Sequence, residues 1–321
     1  MNTFFGRVFR SFVVAGSVAL LVSSAFAQVK LRDAMDTDGD DKADFTIFRP
    51  ENNVWYIQNG GGFVFQQFGL TGQDYMAPGD YDGDGKGDIS VWRDSDGVWY
   101  RLNSSDSTFT AVQFGISGDE PVARDYDGDG KTDQAVVRRT DGNMIWYVLK
   151  SSDFGFIAAQ FGLSTDFTAP GDYDGDGKFD FAVQRPGETA TSQATFYALN
   201  SADSSLMVVP WGFSTDLVAP GDYDGDGKTD LAVVREGASA TDNLIWYVLL
   251  SADNSFMIRS FGLTGIDYTT QNDYDGDGKT DMAIWRDTEG TFYVLRSTDL
   301  GLTVNHWGQA NDFPVAAYDT H

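Results

Sequence analysis

One nine-residue segment, Asp80-Tyr81-Asp82-Gly83-Asp84-Gly85-Lys86-Gly87-Asp88, constrains the fold of this chain more than any other feature, because it recurs. Copies start at Asp125, Asp172, Asp222 and Asp273, and a degenerate copy starts at Asp36. The successive offsets are 44, 45, 47, 50 and 51 residues. A unit of that length cannot bury its apolar face alone, so such repetition implies an array of one supersecondary element stacked on itself. The flanks repeat as well. Five residues after the last Asp of each copy stands an arginine: Arg49, Arg93, Arg138, Arg185, Arg235 and Arg286. An aromatic pair follows, from Trp55-Tyr56 to Phe292-Tyr293, and each unit closes on an aromatic-Gly step, from Phe68-Gly69 to Trp307-Gly308. Six units are complete.

Each unit parses into four short strands. In the fourth, strand A ends at Gly171, strand B covers Asp180 to Arg185, strand C covers Thr195 to Asn200, and strand D covers Ser205 to Trp211. β-Branched and aromatic residues fill the strands, and Gly, Asp, Asn and Ser fill the joints. Strand B is apolar on both faces, as in Leu231-Ala232-Val233-Val234, which suits a sheet packed between two others. Its second position is always small (Thr46, Ser90, Ala135, Ala182, Ala232, Ala283), as close sheet packing requires. The expectation is an all-β propeller of six four-stranded blades, with repeats over about 28–70, 71–116, 117–163, 164–213, 214–263 and 264–308. Residues 309–321 contain Phe313-Pro314-Val315, which resembles strand A, and they are expected to dock beside blade one as a closing strand.

The acidic loops carry the chemistry. Asp at positions 1, 3, 5 and 9 places four carboxylates within nine residues, and such a cluster repels itself unless a cation intervenes. Hard carboxylate oxygens in a flexible loop match Ca²⁺. The expected ligands are Asp36, Asp38, Asp40 and Asp44; Asp80, Asp82, Asp84 and Asp88; and Asp125, Asp127, Asp129 and Asp133. The later loops supply Asp172, Asp174, Asp176 and Asp180; Asp222, Asp224, Asp226 and Asp230; and Asp273, Asp275, Asp277 and Asp281. Glycine at position 6 permits the turn. The backbone carbonyl of position 7 (Lys42, Lys86, Lys131, Lys178, Lys228, Lys279) is expected to add a ligand, with the side chain pointing outward. Six ions at most are expected. The loop from Asp36 to Asp44 is expected to be distorted or weakest, because Asp41 replaces the position 6 glycine. An EF-hand is excluded: position 12 is apolar (Val91, Val136, Val183, Val233, Ile284), where that motif needs Glu.

With these residues the chain resembles the FG-GAP repeats, known in bacteria also as VCBS-type repeats. These are calcium-binding propeller blades best known from the integrin α-subunit head. The Phe-Gly step and the Asp-x-Asp-Gly-Asp-Gly-x-x-Asp loop carry the resemblance, over about residues 31–308. The family's Gly-Ala-Pro element has no counterpart: its slot reads Phe48-Arg49-Pro50 or Trp92-Arg93-Asp94. Integrin propellers have seven blades, so only the loop ligands carry over, and not a ligand-binding surface.

The remaining sequence narrows function by exclusion. With 41% hydrophobic and 22% charged residues the chain is globular, and a net charge of −26 disfavours binding to nucleic acid. Cysteine is absent, which removes disulfides and thiol chemistry, and His306 and His321 are the two histidines. His306 sits in a strand slot, so no catalytic residue is assigned. Arg7 and Arg10, the apolar stretch Phe12 to Val22 and Ala25-Phe26-Ala27 form an export signal, with cleavage expected after Ala27 and no transmembrane segment in the mature domain 28–321. The recurring arginine is expected to pair with a carboxylate or stack on an aromatic; an anion-binding ring is the alternative. The aromatic pairs are expected to be core, with sugar stacking as the alternative. Binding is expected near the lengthened B–C connections, Pro186–Ala194 and Glu236–Leu244, opposite the acidic loops. The expected function is a secreted binding or adhesion scaffold for an extracellular protein or glycan, with structural calcium. The alternatives are a lectin and, third, a polysaccharide lyase or hydrolase.

Overall fold

Alternating buried and exposed positions recur sheet after sheet in the computed structural model, which describes residues 34–315. The export segment 1–27, and residues 316–321 of the closing segment with His321, lie outside the described residues. Blade one contains β1 (Phe45–Arg49), β2 (Val54–Asn59) and β3 (Gly62–Gln67), and blade two runs β4 (Asp74–Met76), β5 (Ile89–Arg93), β6 (Val98–Leu102) and β7 (Phe109–Gln113). Blade three is β8 (Glu120–Pro121), β9 (Gln134–Thr140), β10 (Asn143–Leu149) and β11 (Phe156–Leu163), and blade four is β12 (Phe167–Thr168), β13 (Phe181–Arg185), β14 (Gln193–Leu199) and β15 (Leu206–Phe213). Blade five is β16 (Leu217–Val218), β17 (Leu231–Arg235), β18 (Asn243–Leu249) and β19 (Phe256–Leu263). Blade six is β20 (Asp267–Thr269), β21 (Met282–Arg286), β22 (Thr291–Leu295) and β23 (Leu302–His306). The remaining strand is β24 (Phe313–Pro314). Every sheet has four antiparallel strands in sequential order, except that β24 supplies the inner strand of blade one. The six-bladed propeller and its closing strand are as the sequence predicts.

Burial follows strand rank. The second strands are almost wholly buried, and the outer strands β7, β11 and β15 alternate because one face meets solvent. All six small residues at the second position of strand B are at most 1% exposed, as sheet-on-sheet packing demands. Strand-C indoles fill the core: Trp55, Trp99, Trp146 and Trp246 are buried and donate Nε1–H to the carbonyls of Phe68, Phe114, Phe161 and Phe261. The first member of each aromatic pair is therefore core, with the Phe-Gly carbonyl satisfying four of the indoles, while the tyrosine is half-buried. The glycine of that step is required twice. Gly162 has φ +99°, and a Cβ there would lie 3.1 Å from Val183 Cγ1 of the next blade.

The recurring arginine is a structural clamp that uses both of its expected contacts. In each blade its guanidinium pairs with a buried Asp of the preceding D–A turn, as in Arg138 Nε to Asp119 Oδ1 at 2.7 Å and Nη2 to Asp119 Oδ2 at 2.8 Å. The same guanidinium lies over the tyrosine of the aromatic pair, 4.7 Å from the Tyr147 centroid for Arg138. The second carboxylate oxygen also accepts the backbone N–H just after the Phe-Gly step of the previous blade, as Ile116 N donates to Asp119 Oδ2 at 2.9 Å. The Asp thus joins two consecutive blades and takes up the Nε–Nη2 edge of each arginine.

Closure repeats this scheme across the termini. Ile47 pairs with Pro314 and Phe48 with Phe313, and Val315 N donates to the Thr46 carbonyl at 2.9 Å. Arg49 forms its bidentate pair with Asp312, whose side chain is 1% exposed. Asp312→Ala should therefore cost about 3 kcal/mol in urea unfolding. Asp299→Ala, which removes an exposed pair with Arg296, should shift the urea midpoint far less. Equal costs would rule out the clamp as the closing element.

Candidate metal centre

Each acidic loop leads into the second strand of its blade and wraps onto its own first residue. Asp80 Oδ1 accepts Gly83 N–H at 2.6 Å and Oδ2 accepts Gly85 N–H at 2.9 Å, and the later loops repeat this pattern. The glycines sit at φ near +80° to +88° because only there do the amides turn back on the carboxylate. Asp41 adopts the same left-handed conformation at φ +67°, and its N–H reaches Asp36 Oδ2 at 2.9 Å, so the turn of the first loop survives its substitution. The second loop residue anchors the turn: the buried Tyr126 donates its hydroxyl to the Val122 carbonyl at 2.6 Å.

In the second to fifth loops, carboxylate oxygens of positions 1, 3 and 9 converge to within 4.8 Å of one another: Asp80, Asp82 and Asp88 in the second, and Asp125, Asp127 and Asp133 in the third. In the first loop the converging set is Asp36, Asp38 and Asp40, and Asp44 instead accepts the N–H and hydroxyl of Thr37. The first loop is thus the odd member by donor set rather than by turn geometry. Position 5 turns elsewhere: Asp129 Oδ1 accepts Lys131 N–H at 2.9 Å and the Ser151 hydroxyl at 2.9 Å.

That serine was not singled out in the sequence. Ser104, Ser151, Ser201, Ser251 and Ser297 open the C–D turns, and each gives its N–H to the position 9 Asp and its hydroxyl to the position 5 Asp. The Ser-x-Asp repeat after strand C was its visible signal. The lysines also depart from expectation. Their side chains do not point outward but cross the position 4 glycine of the preceding loop, and Lys131 Nζ donates to the Asp82 carbonyl at 2.9 Å. Lys42 reaches Gly276 in the same way and so completes the circuit. Underneath, the position 8 N–H of every loop donates to the position 1 carbonyl of the loop before it: Gly87 to Asp36, Thr132 to Asp80, Phe179 to Asp125, Thr229 to Asp172, Thr280 to Asp222 and Ala43 to Asp273, at 2.6–2.8 Å.

The electrostatics match a cation site. Burial, with a smaller push from neighbouring loop carboxylates, raises Asp133, Asp180 and Asp230 to about 7 and Asp88 and Asp281 to about 6. Burial likewise raises Asp125 to about 6, and Asp38 Oδ1 is buried without a hydrogen-bond partner. Three converging carboxylates with no nitrogen or sulfur donor form a hard all-oxygen set, which fits Ca²⁺ or Mg²⁺ better than a softer metal.

The lengthened B–C connections of blades four and five fold back on the neighbouring D–A turns, with Gly187 N–H on Ser214 Oγ and Gly237 N–H on Thr264 Oγ1. His306 is a residue of β23 whose Nδ1 meets the Thr291 hydroxyl at 2.7 Å. No helix among the described residues is long and apolar enough to cross a membrane.

Comparison with known proteins agrees with this architecture. The FG-GAP-like repeat family matches residues 125–183, from the first Asp of the third loop to strand B of blade four. The chain thus carries an FG-GAP-like repeat within a six-bladed propeller. No curated protein matches it significantly. Similar solved structures include a functionally unknown protein from Desulfotomaculum acetoxidans (10% identity, TM-score 0.45, covering 82% of this chain and 99% of that one). A protein of unknown function from Bacteroides caccae is 12% identical, with TM-score 0.45 and coverage of 86% and 96%. The rhamnogalacturonan lyase YesW is 15% identical, with TM-score 0.37 and coverage of 85% and 60%. All three scores are too low to say anything about activity.

The raised carboxylates set a pH dependence with a defined sign. Their pKa values in the fold exceed the unfolded value of about 3.9, so protonation favours the metal-free fold, and that stability is lost as pH rises through about 6 to 7. Metal-stripped protein should therefore melt at a higher temperature at pH 5 than at pH 8. A midpoint that instead climbs with pH would contradict this electrostatic account.

Proposed function

We propose that the protein is an exported propeller that binds calcium in its acidic loops and acts as an extracellular scaffold for binding or adhesion. The observation that carries this reading is the convergence of buried and half-buried carboxylates at positions 1, 3 and 9 in successive loops. Calcium would neutralise that charge, held by Asp80, Asp82 and Asp88 and their counterparts, with position 5 and the lysine carbonyl completing the shell. Up to six ions would be held, most weakly in the loop from Asp36 to Asp44. At a tenfold excess over Kd each site would contribute about 1.4 kcal/mol, or on the order of 8 kcal/mol for six independent sites. That matches the whole stability of many domains, so the ion is structural rather than regulatory.

A non-catalytic role is supported by how the polar groups are used. The arginine clamps, loop carboxylates and serines are engaged with one another. Export rests on Arg7, Arg10 and the apolar stretch before Ala27, and the exported chain should begin at Gln28.

Excess chelator at pH 7.5 should lower the thermal midpoint by more than about ten degrees, and added calcium should restore it. An unchanged midpoint in excess chelator would end the structural-calcium reading. Asp133→Asn, at one converging site, should lower the midpoint by a few degrees in calcium and by less in chelator.

A further inference from the structure

The face opposite the acidic loops opens into a cavity of about 620 Å³, lined by β4, β16, β20 and β24 from four different blades. The residue after each clamp Asp lies at the same level of its inner strand: Tyr75, Glu120, Phe167, Leu217, Tyr268 and Phe313. Tyr75, Leu217, Tyr268 and Phe313 line the cavity, and the three aromatics are 48%, 51% and 47% exposed. Tyr75 packs on Trp92 and Tyr268 on Trp285, at 5.8 and 6.2 Å between centroids, so these aromatic faces are held in place rather than loose.

The charge of the lining has one sign. Four carboxylates line the cavity, and among the described residues no Lys, Arg or His does. Asp74 and Asp267 are neutralised by Arg93 and Arg286. Glu236 and Asp287 have no basic partner among the described residues; they accept only the N–H groups of Gly265 and Asn311. Gln271 also lines the cavity, at 5% exposure.

We propose that this axial cavity binds an alkylammonium group, with the apolar part of the ligand against Tyr75, Tyr268 and Phe313 and its charge facing Glu236 and Asp287. Aromatic faces attract cations through the ring quadrupole, and two carboxylates without counter-charges reinforce that choice over a neutral guest. The site deepens the scaffold reading given above, placing its ligand on the axis. The lengthened B–C connections contribute only Glu236 to the lining. The ammonium belongs either to a free amine or to a lysine side chain of a protein partner.

The test uses the full exported chain with calcium in excess, so that the acidic loops do not themselves attract amines. Hexylammonium is titrated by calorimetry, beside hexanol as the neutral isostere and a blocked tripeptide with a central lysine. Tryptophan emission is followed in parallel, since Trp92 and Trp285 back the aromatic wall. The expected result is saturable binding of hexylammonium but not hexanol, with a change in emission. The double variant Glu236→Gln, Asp287→Asn, which keeps both accepted N–H bonds, should weaken it about tenfold. Tighter binding of the peptide than of the amine would assign the source to a partner's lysine, and the reverse would assign it to a free amine. Equal binding of hexanol, no binding by protein that calcium still stabilises, or full affinity in the double variant would each overturn the proposal. The scaffold reading would fall separately, on a thermal midpoint indifferent to calcium.

Discussion

Six sheets arranged around an axis have no common backbone ladder, so everything depends on what passes between one blade and the next. At the acidic end this is a single hydrogen bond repeated six times, from the eighth residue of each loop to the first carbonyl of the loop before it. The bond fixes where each loop starts relative to its neighbour, and hence where its carboxylates converge. At the other end the clamp Asp accepts an N–H from one blade and a guanidinium from the next. Between these two rings lie the apolar faces, whose packing requires the small second residue of strand B and the glycine after each aromatic.

The two ends divide the charge of the chain differently. At the clamp end each of the six buried clamp Asp side chains has an arginine, and the tyrosine of the aromatic pair covers that arginine in turn. At the loop end carboxylates outnumber bases: one lysine accompanies each loop, and it reaches across the glycine of the preceding loop rather than into its own converging set. Burial raises the loop carboxylates because amides and serine hydroxyls solvate them only in part. The loops thus keep the fold under a charge load that a divalent ion would relieve.

Much of this was legible in the sequence because repetition acts as an internal comparison. The blade count, the four strands, the acidic loops and the closing strand each follow from positions that hold their type while their neighbours vary. What stayed hidden depended on variable spacing or on direction. The clamp Asp follows the aromatic-Gly step by five residues at Asp74 and Asp267 but by four at Asp119, Asp166, Asp216 and Asp312, so alignment on the loops blurred it. The lysines showed their number and spacing but not that each belongs, by contact, to its neighbour's loop. The exposed aromatics of the inner strands looked like ordinary strand residues, since no one-dimensional pattern marks which side of a strand faces an axis.

The closing clamp also has a kinetic side. Five of the six Arg–Asp pairs join residues 19 apart in sequence, whereas Arg49 and Asp312 are 263 apart. Loop-closure entropy grows with the logarithm of separation, so the last clamp costs about 2 kcal/mol more to bring together than the other five. Contact order is therefore concentrated in one blade of an otherwise locally wired ring. Five blades can assemble as neighbours in sequence; the circle is completed last at blade one, and by the same imbalance it is there that the native ring opens first.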